Sequence, residues 1–464
     1  MILGAKIAVA RAAGALSRRS GRGATSLPGK VLMRLEPDAI ARLAGRLPQG
    51  SAVISATNGK TTTAAMVAAI LERSGTRLVH NRAGANMAGG VASVLLGAAR
   101  GDGIEGDAGL FEVDEFWLDR VVAQLRPRAM LLANLFRDQL DRYGELETIA
   151  DRWAATVAAA PATRLVLNAD DPLVADLGRV RGETGGAGGG GLGTVTYFGV
   201  QDDAVALRGM AHASDSKHCR RCGSSLTYDA IYMGHLGRWH CPTGDTRRPE
   251  PDVFATQIVL DGTRAARFEL HIGAERAPVA LPLPGLYNVY NALGAAALTR
   301  ALGAPLADIV AGLESTQAAF GRAETVAIAG RDLAILLVKN PAGANEVLRT
   351  LALDPGQHDV LAVLNDKIAD GRDVSWVWDA DFEVVAGSVR RVTCSGTRAA
   401  ELAVRLKYAG VDPARLHVQP DLERALDAAL ADGDGRLVAL PTYTAMLALR
   451  ELLVARGAAT GSFQ

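Results

Sequence analysis

This sequence contains few cysteines and carries no net charge. Only four cysteines occur in 464 residues, three of them clustered, and 50 Lys and Arg balance 50 Asp and Glu. Four cysteines cannot form a disulfide framework in so long a chain, which favours a reducing, cytoplasmic setting. A balanced charge excludes a global field that recruits nucleic acid, so we expect no nucleic-acid partner.

Long hydrophobic runs are absent as well. Lys6 and Arg11 interrupt the apolar N-terminal stretch before a signal-peptide core or a membrane span of roughly 20 residues can form. We therefore predict a lead segment, residues 1–50, with a helix packed on its own domain. The alternative is an amphipathic helix whose basic end, around Arg18, touches a membrane surface.

What is present is enough apolar sequence, 49% of the residues, to fill the cores of two or three domains. From residue 51, short apolar runs alternate with helical stretches, a rhythm typical of a parallel α/β sheet. We predict a central domain over 51–325. Its predicted strands end in polar residues, and ligands of such sheets bind at the carboxyl ends of strands. These strand ends are Asn58, Glu112, Asn134 and Asn168.

Two further regions differ from that pattern. Between 201 and 282, short β-like pieces surround the clustered cysteines, which indicates an inserted Cys-rich subdomain. A second alternation of strands and helices, over 326–464, is long enough for its own core. The predicted fold class is thus α/β, with a central phosphate-loop domain, a Cys-rich insertion and a Rossmann-like C-terminal domain.

A phosphate-binding loop lies between the first predicted strand and the following helix. There, backbone N–H groups and the helix dipole bind phosphates, while Lys60 reaches the β- and γ-phosphate oxygens and Thr61 a magnesium ion. Ile54 replaces the first glycine of the common eight-residue pattern, so the strand-loop-helix context supports the prediction more than the motif does. The expected nucleotide-binding residues are Thr57, Asn58, Gly59, Lys60, Thr61 and Thr62.

Glu112 ends the predicted strand AGLFEV. Beside a phosphate loop, a carboxylate at this strand end is expected to hold Mg²⁺ against the nucleotide and the reacting group. The alternative is a solvated acid at a strand end.

These features, with five further strings, resemble the central domain of Mur ligases. The strings are NLFRDQLDRYGE (134–145), NADD (168–171), YFG (197–199), PGLYNVYNA (284–292) and GRAE (321–324). The resemblance implies ATP as the nucleotide, with Asn288, Asn291 and Arg322 near it. It also implies a C-terminal domain that closes over the site and excludes water from a hydrolysable intermediate.

Two departures from the Mur ligases that add amino acids narrow the reaction. Those ligases carry DHLD, with the histidine on magnesium, whereas this chain has DQLD, in which Gln139 offers its carbonyl oxygen. No lysine occurs between Lys60 and Lys217, so the carbamylated lysine that they use as a metal ligand cannot form. The altered second-metal geometry disfavours an amino-acid-adding role.

The clustered cysteines have the spacing of a zinc-ribbon-like site. Cys219 and Cys222 form a CxxC element and Cys241 begins a second one, a pattern that holds Zn²⁺ through thiolates. Gly244 stands where the fourth cysteine is expected. A water or one of four side chains would complete the shell, and a relic loop stabilised by packing alone is the alternative. The four side chains are His218, His235, His240 and Asp245.

Three C-terminal strings narrow the resemblance to the MurT family, the ligase subunits of lipid II isoglutaminyl synthases. They are KNPAGANEV, ADGRDVSWVWD and LPTYTAMLALR. The resemblance implies that ATP phosphorylates the α-carboxyl of D-glutamate in the lipid II stem peptide and that ammonia displaces the phosphate to give D-isoglutamine. It also implies a GatD-like glutaminase partner in a heterodimer, which supplies the ammonia, and action at the inner face of the membrane.

An aspartate of the ligase completes the Cys-His-Asp triad of the glutaminase in that family. We assign this role to Asp373, with Asp366 and Asp370 as alternatives, and a turn or helix-capping aspartate is the competing interpretation. Trp376 and Trp378 are candidates for interface anchors or for core residues.

Other interpretations stay open. In KNPAGAN, Asn340 and Asn345 either position the carboxylate or the nucleotide or belong to a Pro-Gly turn. For the whole chain, an autonomous amino-acid ligase of the Mur or folylpolyglutamate type and a non-catalytic nucleotide-binding scaffold compete with the amidating subunit. The missing lysine opposes the first, and the intact Lys60, Thr61 and Glu112 oppose the second.

Overall fold

Two sheets flanked by helices form the protein in its computed structural model. The structure describes residues 3–19, 26–81, 85–138, 146–184, 193–210, 214–244, 246–317, 323–431, 433 and 435–459. Successive residues of one strand belong to different core clusters: Val53 packs in one and Ile54 in the other. Since neighbouring side chains of a strand point to opposite faces, each face of the larger sheet has its own core.

The first part of the chain supplies the larger sheet. Its helices are α1 (Leu3–Arg19), α2 (Leu27–Leu35), α3 (Ala39–Ala44), α4 (Lys60–Arg73), α5 (Ala88–Ala98), α6 (Leu118–Leu125), α7 (Leu146–Ala159), α8 (Pro172–Thr184), α9 (Leu286–Ala301) and α10 (Leu306–Glu314). Its strands are β1 (Ser51–Ser55), β2 (Leu78–His80), β3 (Ala99–Arg100), β4 (Gly103–Ile104), β5 (Ala108–Glu112), β6 (Ala129–Leu132), β7 (Arg164–Asn168), β8 (Val195–Val200), β9 (Thr227–Met233), β10 (Leu236–His240), β11 (Val253–Asp261), β12 (Ala265–Ile272) and β13 (Glu275–Leu281).

Nine of these strands pair in the order β13-β12-β11-β8-β7-β6-β1-β5-β2. The run from β2 to β11 is parallel, while β11, β12 and β13 pair antiparallel. β1, which carries the phosphate loop, therefore lies inside the sheet between β5 and β6. The carboxyl ends of all three strands meet at one edge, as the βαβ rhythm predicted.

The predicted insertion over 201–282 is too wide. β11, β12 and β13 fall within it but extend the nine-stranded sheet. Among the described strands of that range, only β9 and β10 form a separate two-stranded sheet, next to the cysteines. The period-2 pattern identified strands correctly, but it cannot tell a strand of an insertion from an edge strand of the parent sheet.

The smaller sheet follows. Its strands are β14 (Glu324–Ile328), β15 (Arg331–Ile335), β16 (His358–Val363), β17 (Val389–Ser395), β18 (Leu416–Val418) and β19 (Leu437–Pro441), and its helices are α11 (Pro341–Ala352), α12 (Ala399–Tyr408), α13 (Leu422–Ala431) and α14 (Tyr443–Ala455). The strand order is β14-β15-β19-β16-β17-β18, parallel except for the edge pair β14/β15. This is the expected Rossmann-like arrangement, although the predicted boundary before residue 326 falls inside β14.

The N-terminal helix α1 packs on α2, with Lys6 Nζ 3.0 Å from Glu36 Oε2. Val9 and Leu16 on its other side are exposed. Among the described residues, no helix combines the length and apolarity needed to cross a bilayer. The contact with a membrane surface stays a prediction.

Candidate active site

The phosphate loop after β1 is held from the neighbouring strand end. Thr57 N–H donates to the carbonyl of Asn134 at 3.0 Å, and Asn58 N–H donates to Asn134 Oδ1 at 2.9 Å. Asn134 Nδ2 donates back to the Asn58 carbonyl at 3.0 Å. One amide side chain thus satisfies the loop backbone in both directions, which fixes the loop conformation before any ligand binds.

Gly59 closes the loop in the left-handed region, with φ of +85°. A Cβ at this position would lie 2.1 Å from Asn291 Oδ1. Asn291, from α9, also accepts a hydrogen bond from Thr63 Oγ1 at 3.2 Å and donates to Asn288 Oδ1 at 3.0 Å. Asn291 therefore packs against the loop at Gly59, and Asn288 adjoins it through Asn291.

Lys60 begins α4 and is buried. Its Nζ donates to Glu115 Oε2 at 2.8 Å and to the carbonyl of Ala56. Burial lowers the pKa of Lys60, but the carboxylates of Glu115, Asp114 and Glu112 outweigh that effect and raise its pKa above the ordinary value. The ammonium is therefore charged, as phosphate binding requires.

Carboxylates surround this end of the loop. Glu112 is buried at the end of β5, and its backbone N–H donates to Asn81 Oδ1 at 2.9 Å. Asp138 accepts a hydrogen bond from Lys339 at Oδ2, while its Oδ1 is buried without a hydrogen-bond partner in the described part of the chain. An unpaired buried carboxylate oxygen beside a phosphate loop suits a hard cation such as Mg²⁺.

A cavity of about 380 Å³ joins the loop to the smaller sheet. Its described wall includes all six predicted nucleotide-binding residues of the loop, Glu112, Asn288 and Asn291. The smaller sheet adds residues that precede or belong to α11 and one loop residue: Lys339, Ala342, Gly343, Glu346, Val347 and Ala369. The walls of the cavity thus come from both sheets.

The stretch KNPAGAN begins α11 and touches the phosphate loop. Asn340 caps the helix by accepting from Gly343 N–H at 2.8 Å, and its Nδ2 donates to Asn58 Oδ1 at 3.0 Å. Asn345 lies on another side of the helix and accepts from Asp381 N–H at 2.7 Å. Asn340 is therefore placed at the nucleotide loop, whereas Asn345 has a structural contact.

Glu346 lies one turn further along α11. Burial raises the pKa of Glu346 to about 7, although Arg349 Nη1 donates to its Oε1 at 2.6 Å. A carboxyl group that is partly protonated near neutrality in a cavity wall is a common feature of binding and catalytic sites.

The three candidate triad aspartates differ in exposure. Asp370 is buried and accepts from Thr444 N–H at 2.7 Å, and Asp366 pairs with Arg398 at 2.8 Å. Asp373 is exposed, and hydrogen bonds from the Ser375 side chain and from the Ser375 N–H, which donates to Oδ1 at 2.8 Å, lower the pKa of Asp373. Only this last carboxylate faces outward without an arginine or threonine partner among the described contacts.

The two tryptophans near Asp373 lie in different environments. Trp376 is half-buried and packs against the core of the smaller sheet. Trp378 is 53% exposed, with its ring 6.0 Å from that of Tyr408. Trp378 is therefore the one placed for an external contact.

The cysteines converge. The sulfur atoms of Cys219, Cys222 and Cys241 all lie within 4.8 Å of one another. Hydrogen bonds from Ser224 and Thr243 lower the pKa of the Cys222 thiol to about 6. Such a thiol is largely ionised at neutral pH, as a metal ligand must be.

No described histidine joins this cluster. His235 is buried against Phe136, with ring centroids 4.7 Å apart, and His240 Nδ1 lies 3.7 Å from Asp229. A Cβ at Gly244 would lie 3.7 Å from Cys241 Sγ, so this position does face the thiols. Three predicted residues lie outside the described part of the chain: Gln139, Asp245 and Arg322.

Several residues of the cavity wall were not predicted. They are Asp114, Glu115, Asp138, Lys339 and Glu346. The string EVDE after β5 was a usable signal, since acids that follow a strand next to a phosphate loop lie at the ligand edge. No sequence pattern predicts that Lys339 and Glu346 line the cavity, because only the docking of the smaller sheet places them in its wall.

Comparison with known proteins agrees with this geometry. Residues 54–185 match the family model of the Mur ligase middle domain, and residues 337–446 match that of the MurT ligase C-terminal domain. The fold is shared with a pseudomurein peptide ligase type C from Methanothermus fervidus, at a TM-score of 0.67 and 22% identity over 89% of this chain and 80% of that one. A folylpolyglutamate synthase from Mycobacterium tuberculosis has a TM-score of 0.60 and 17% identity over 92% of this chain and 98% of that one.

The phosphate loop, its carboxylates and the Rossmann-like domain over it define a Mur-type ligase. Two curated relatives carry the name lipid II isoglutaminyl synthase (glutamine-hydrolyzing) subunit MurT. The one from Streptococcus pneumoniae is 32% identical over 94% of both chains, and the one from Staphylococcus aureus is 32% identical over 96% of this chain and 97% of its own. The chain belongs to the MurT family and is a ligase.

Proposed function

We propose that the chain amidates the α-carboxyl of D-glutamate in the stem peptide of lipid II, with ATP as the energy source. The observation that carries the proposal is the cavity itself, in which a phosphate loop faces carboxylates and a second sheet in a member of the MurT family. The names of the relatives supply the substrate and the glutamine-hydrolysing character.

The proposed reaction has two steps. An oxygen of the D-glutamate α-carboxylate attacks the terminal phosphorus of ATP, which releases ADP and gives an acyl phosphate. Ammonia then attacks the carbonyl carbon, phosphate leaves with the C–O electron pair, and the nitrogen loses a proton to give the amide. Lys60 and the N–H groups at the start of α4 neutralise charge on the phosphates, and closure of the smaller sheet over the cavity excludes water in this proposal.

Magnesium fits the acidic end of the cavity. The buried Oδ1 of Asp138, which has no partner among the described residues, and the buried carboxylate of Glu112 supply the oxygen atoms that this ion prefers. When bound, the ion neutralises charge on the transferred phosphoryl group. Thr61 lines the same wall and stays a proposed ligand, as does Gln139 outside the described residues.

A GatD-like glutaminase partner in a heterodimer supplies the ammonia in this proposal. The loop of the smaller sheet supports it, since Ala369 lines the cavity while Asp373, four residues later, is exposed. One loop therefore adjoins both the ligase cavity and an outer surface where a partner's histidine can be oriented. Trp378 is the proposed anchor beside it.

The three clustered thiols are a proposed zinc site that orders the hairpin of β9 and β10. Thr243 Oγ1 lies 3.3 Å from Cys222 Sγ and 3.5 Å from Cys241 Sγ, and it precedes Gly244, the position at which a fourth cysteine is expected. A three-thiolate site completed by a water fits these positions. Metal analysis of the purified chain is the check, and a metal-free preparation would remove zinc from the proposal.

The division of the chain is part of the same proposal. Residues 1–50 lead into a central domain, 51–325, and residues 326–464 form the domain that closes over it and contacts the partner. The site of action is cytoplasmic, at the inner face of the membrane, where lipid II presents its stem peptide.

The test is a reconstituted amidation assay. The chain, co-purified with its glutaminase, receives ATP, lipid II and either glutamine or ammonium, and mass spectrometry follows the amide. Both nitrogen sources should work for the wild type, and Lys60→Ala should abolish both. ATP turnover that needs a free amino acid instead of ammonium would favour the autonomous ligase and reject the proposal.

Asp373→Asn tests the partner contact in the same assay. The neutral amide cannot hold the partner's imidazole in its cationic form, so glutamine should support amidation at less than about 1% of the wild-type rate. Ammonium should remain usable. Asp366→Asn is the matched control, because Asp366 already pairs with Arg398. Equal loss with both nitrogen sources would refute the role of Asp373.

A further inference from the structure

Lys339 reaches from the smaller sheet to the phosphate loop of the larger one. It precedes α11, and its Nζ donates to the Thr57 carbonyl at 3.1 Å and to Asp138 Oδ2 at 2.7 Å. Its side chain is 29% exposed and lines the cavity together with Lys60. A second ammonium group therefore lies at the loop, and it comes from the part of the chain that forms the smaller sheet.

The charge of the cavity shows why a second cation matters. Its described wall contains two lysines, and its carboxylates outnumber them: Glu112, Asp114, Glu115, Asp138 and Glu346. Lys60 is already bound to Glu115 at 2.8 Å. A nucleoside triphosphate adds further negative charge, so Lys60 alone leaves an excess of it in a site of low dielectric.

We propose that Lys339 binds the terminal phosphate of the nucleotide, with Asp138 positioning its ammonium group at the loop. The inference rests on the proposed function, because it requires a nucleotide in the cavity. Thr57 and Asp138 follow the ends of β1 and β6 on the side that faces the smaller sheet. The terminal phosphate must face that side, since the acceptor carboxylate has to reach it from outside the loop.

The flexible stem of a lysine allows this transfer. The ammonium group can leave the Thr57 carbonyl for a phosphate oxygen while it keeps its bond to Asp138. A diphosphate offers Lys339 no terminal phosphate oxygen, so Lys339 keeps its bonds to Thr57 and Asp138, whereas the loop and Lys60 bind both nucleotides. Lys339 therefore makes recognition of the triphosphate depend on the docking of the smaller sheet against the loop.

The experiment measures nucleotide affinity and needs no turnover. Calorimetric titrations compare a non-hydrolysable ATP analogue and ADP, each with magnesium, on the full chain in complex with its partner. Since a hydrogen bond between an ammonium group and a phosphate is charge-assisted, Lys339→Met should weaken binding of the ATP analogue about tenfold or more. Its affinity for ADP should change less than about twofold, and Lys339→Arg should recover most of the loss.

Arg137→Met is the matched control. Arg137 also bridges the two sheets, with Asp215 at 2.7 Å and Asp379 at 3.3 Å, but lies outside the described wall of the cavity. It should leave the preference for triphosphate over diphosphate unchanged. Equal weakening of both nucleotides by Lys339→Met, or no weakening, would overturn the role of Lys339 alone. Failure of the wild type to bind either nucleotide would overturn the proposed function as well.

Discussion

The two walls of the cavity are built differently. The wall from the larger sheet is fixed within its own sheet: Asn134 holds the loop backbone, and Asn291 packs against Gly59. The wall from the smaller sheet reaches the loop through a few side chains, mainly Lys339 and Asn340. One wall is preorganised by its sheet, and the other depends on how two sheets dock.

The two walls should therefore differ in function: the first binds the nucleotide, and the second makes the chemistry depend on docking of the smaller sheet. A loop whose hydrogen bonds are satisfied before the ligand arrives contributes affinity with little ordering cost. Side chains delivered by docking contribute only in the closed arrangement, so they can couple chemistry to closure. Changes in the first wall should therefore abolish nucleotide binding, whereas changes in the second should alter selectivity or pH dependence.

Gly59→Ala should produce the largest effect. The new Cβ would lie 2.1 Å from Asn291 Oδ1 in a backbone conformation with φ of +85°. Either the loop or α9 must move, so nucleotide affinity should fall more than about a hundredfold, and the left-handed backbone alone costs about 1–2 kcal/mol. Calorimetric titration with ADP and denaturant unfolding measure the two effects.

Gly75→Ala is the matched control for backbone strain. Gly75 follows the same helix, α4, with φ of +80° and no atom within 4 Å of the position that a Cβ would take. Backbone strain should lower the free energy of unfolding of Gly75→Ala by a similar amount, but this variant should keep its affinity for ADP. If Gly59→Ala binds ADP as well as Gly75→Ala does, the close packing of loop and α9 is not what organises the first wall.

The sequence predicted the first wall well, because its signals are local. The loop lies between a strand and a helix in the chain itself, and Glu112 ends a predicted strand; Asn288 and Asn291 were expected only from the resemblance to Mur ligases. Glu115 was not predicted, although the string EVDE, in which it follows Glu112 by three residues, was a usable signal.

The second wall was predicted less well for a physical reason. Lys339 contacts Asp138, about 200 positions earlier in the chain, and no spacing rule connects them. The cysteines were predicted to converge and do, but their fourth ligand depends on loop geometry. The predicted insertion was too wide, because strand periodicity does not reveal which sheet a strand joins.

The effect of Glu346→Gln is expected to appear only as pH changes. Burial raises the pKa of Glu346 from its ordinary 4.5 to about 7, so the folded state keeps a proton that the unfolded state has lost. Unfolding then releases a proton, and the free energy of unfolding falls as pH rises between these values. The wild type should lose up to about 3 kcal/mol over this window relative to Glu346→Gln, and the difference should level off above pH 7.

Glu401→Gln is the control for the ion pair itself. Glu401 pairs with Arg398 at 2.6 Å and spacing i,i+3, the geometry of Glu346 with Arg349, but on the surface, where the arginine lowers the pKa of Glu401. A lowered pKa contributes stability that is lost only as pH falls below the ordinary value. Above pH 5, the free energy of unfolding of Glu401→Gln, measured by denaturant titration, should therefore change with pH in parallel with that of the wild type. If the free energy of unfolding of Glu346→Gln also parallels that of the wild type above pH 5, the second wall does not bury an ionisable carboxyl group. Closure then does not exclude water from Glu346.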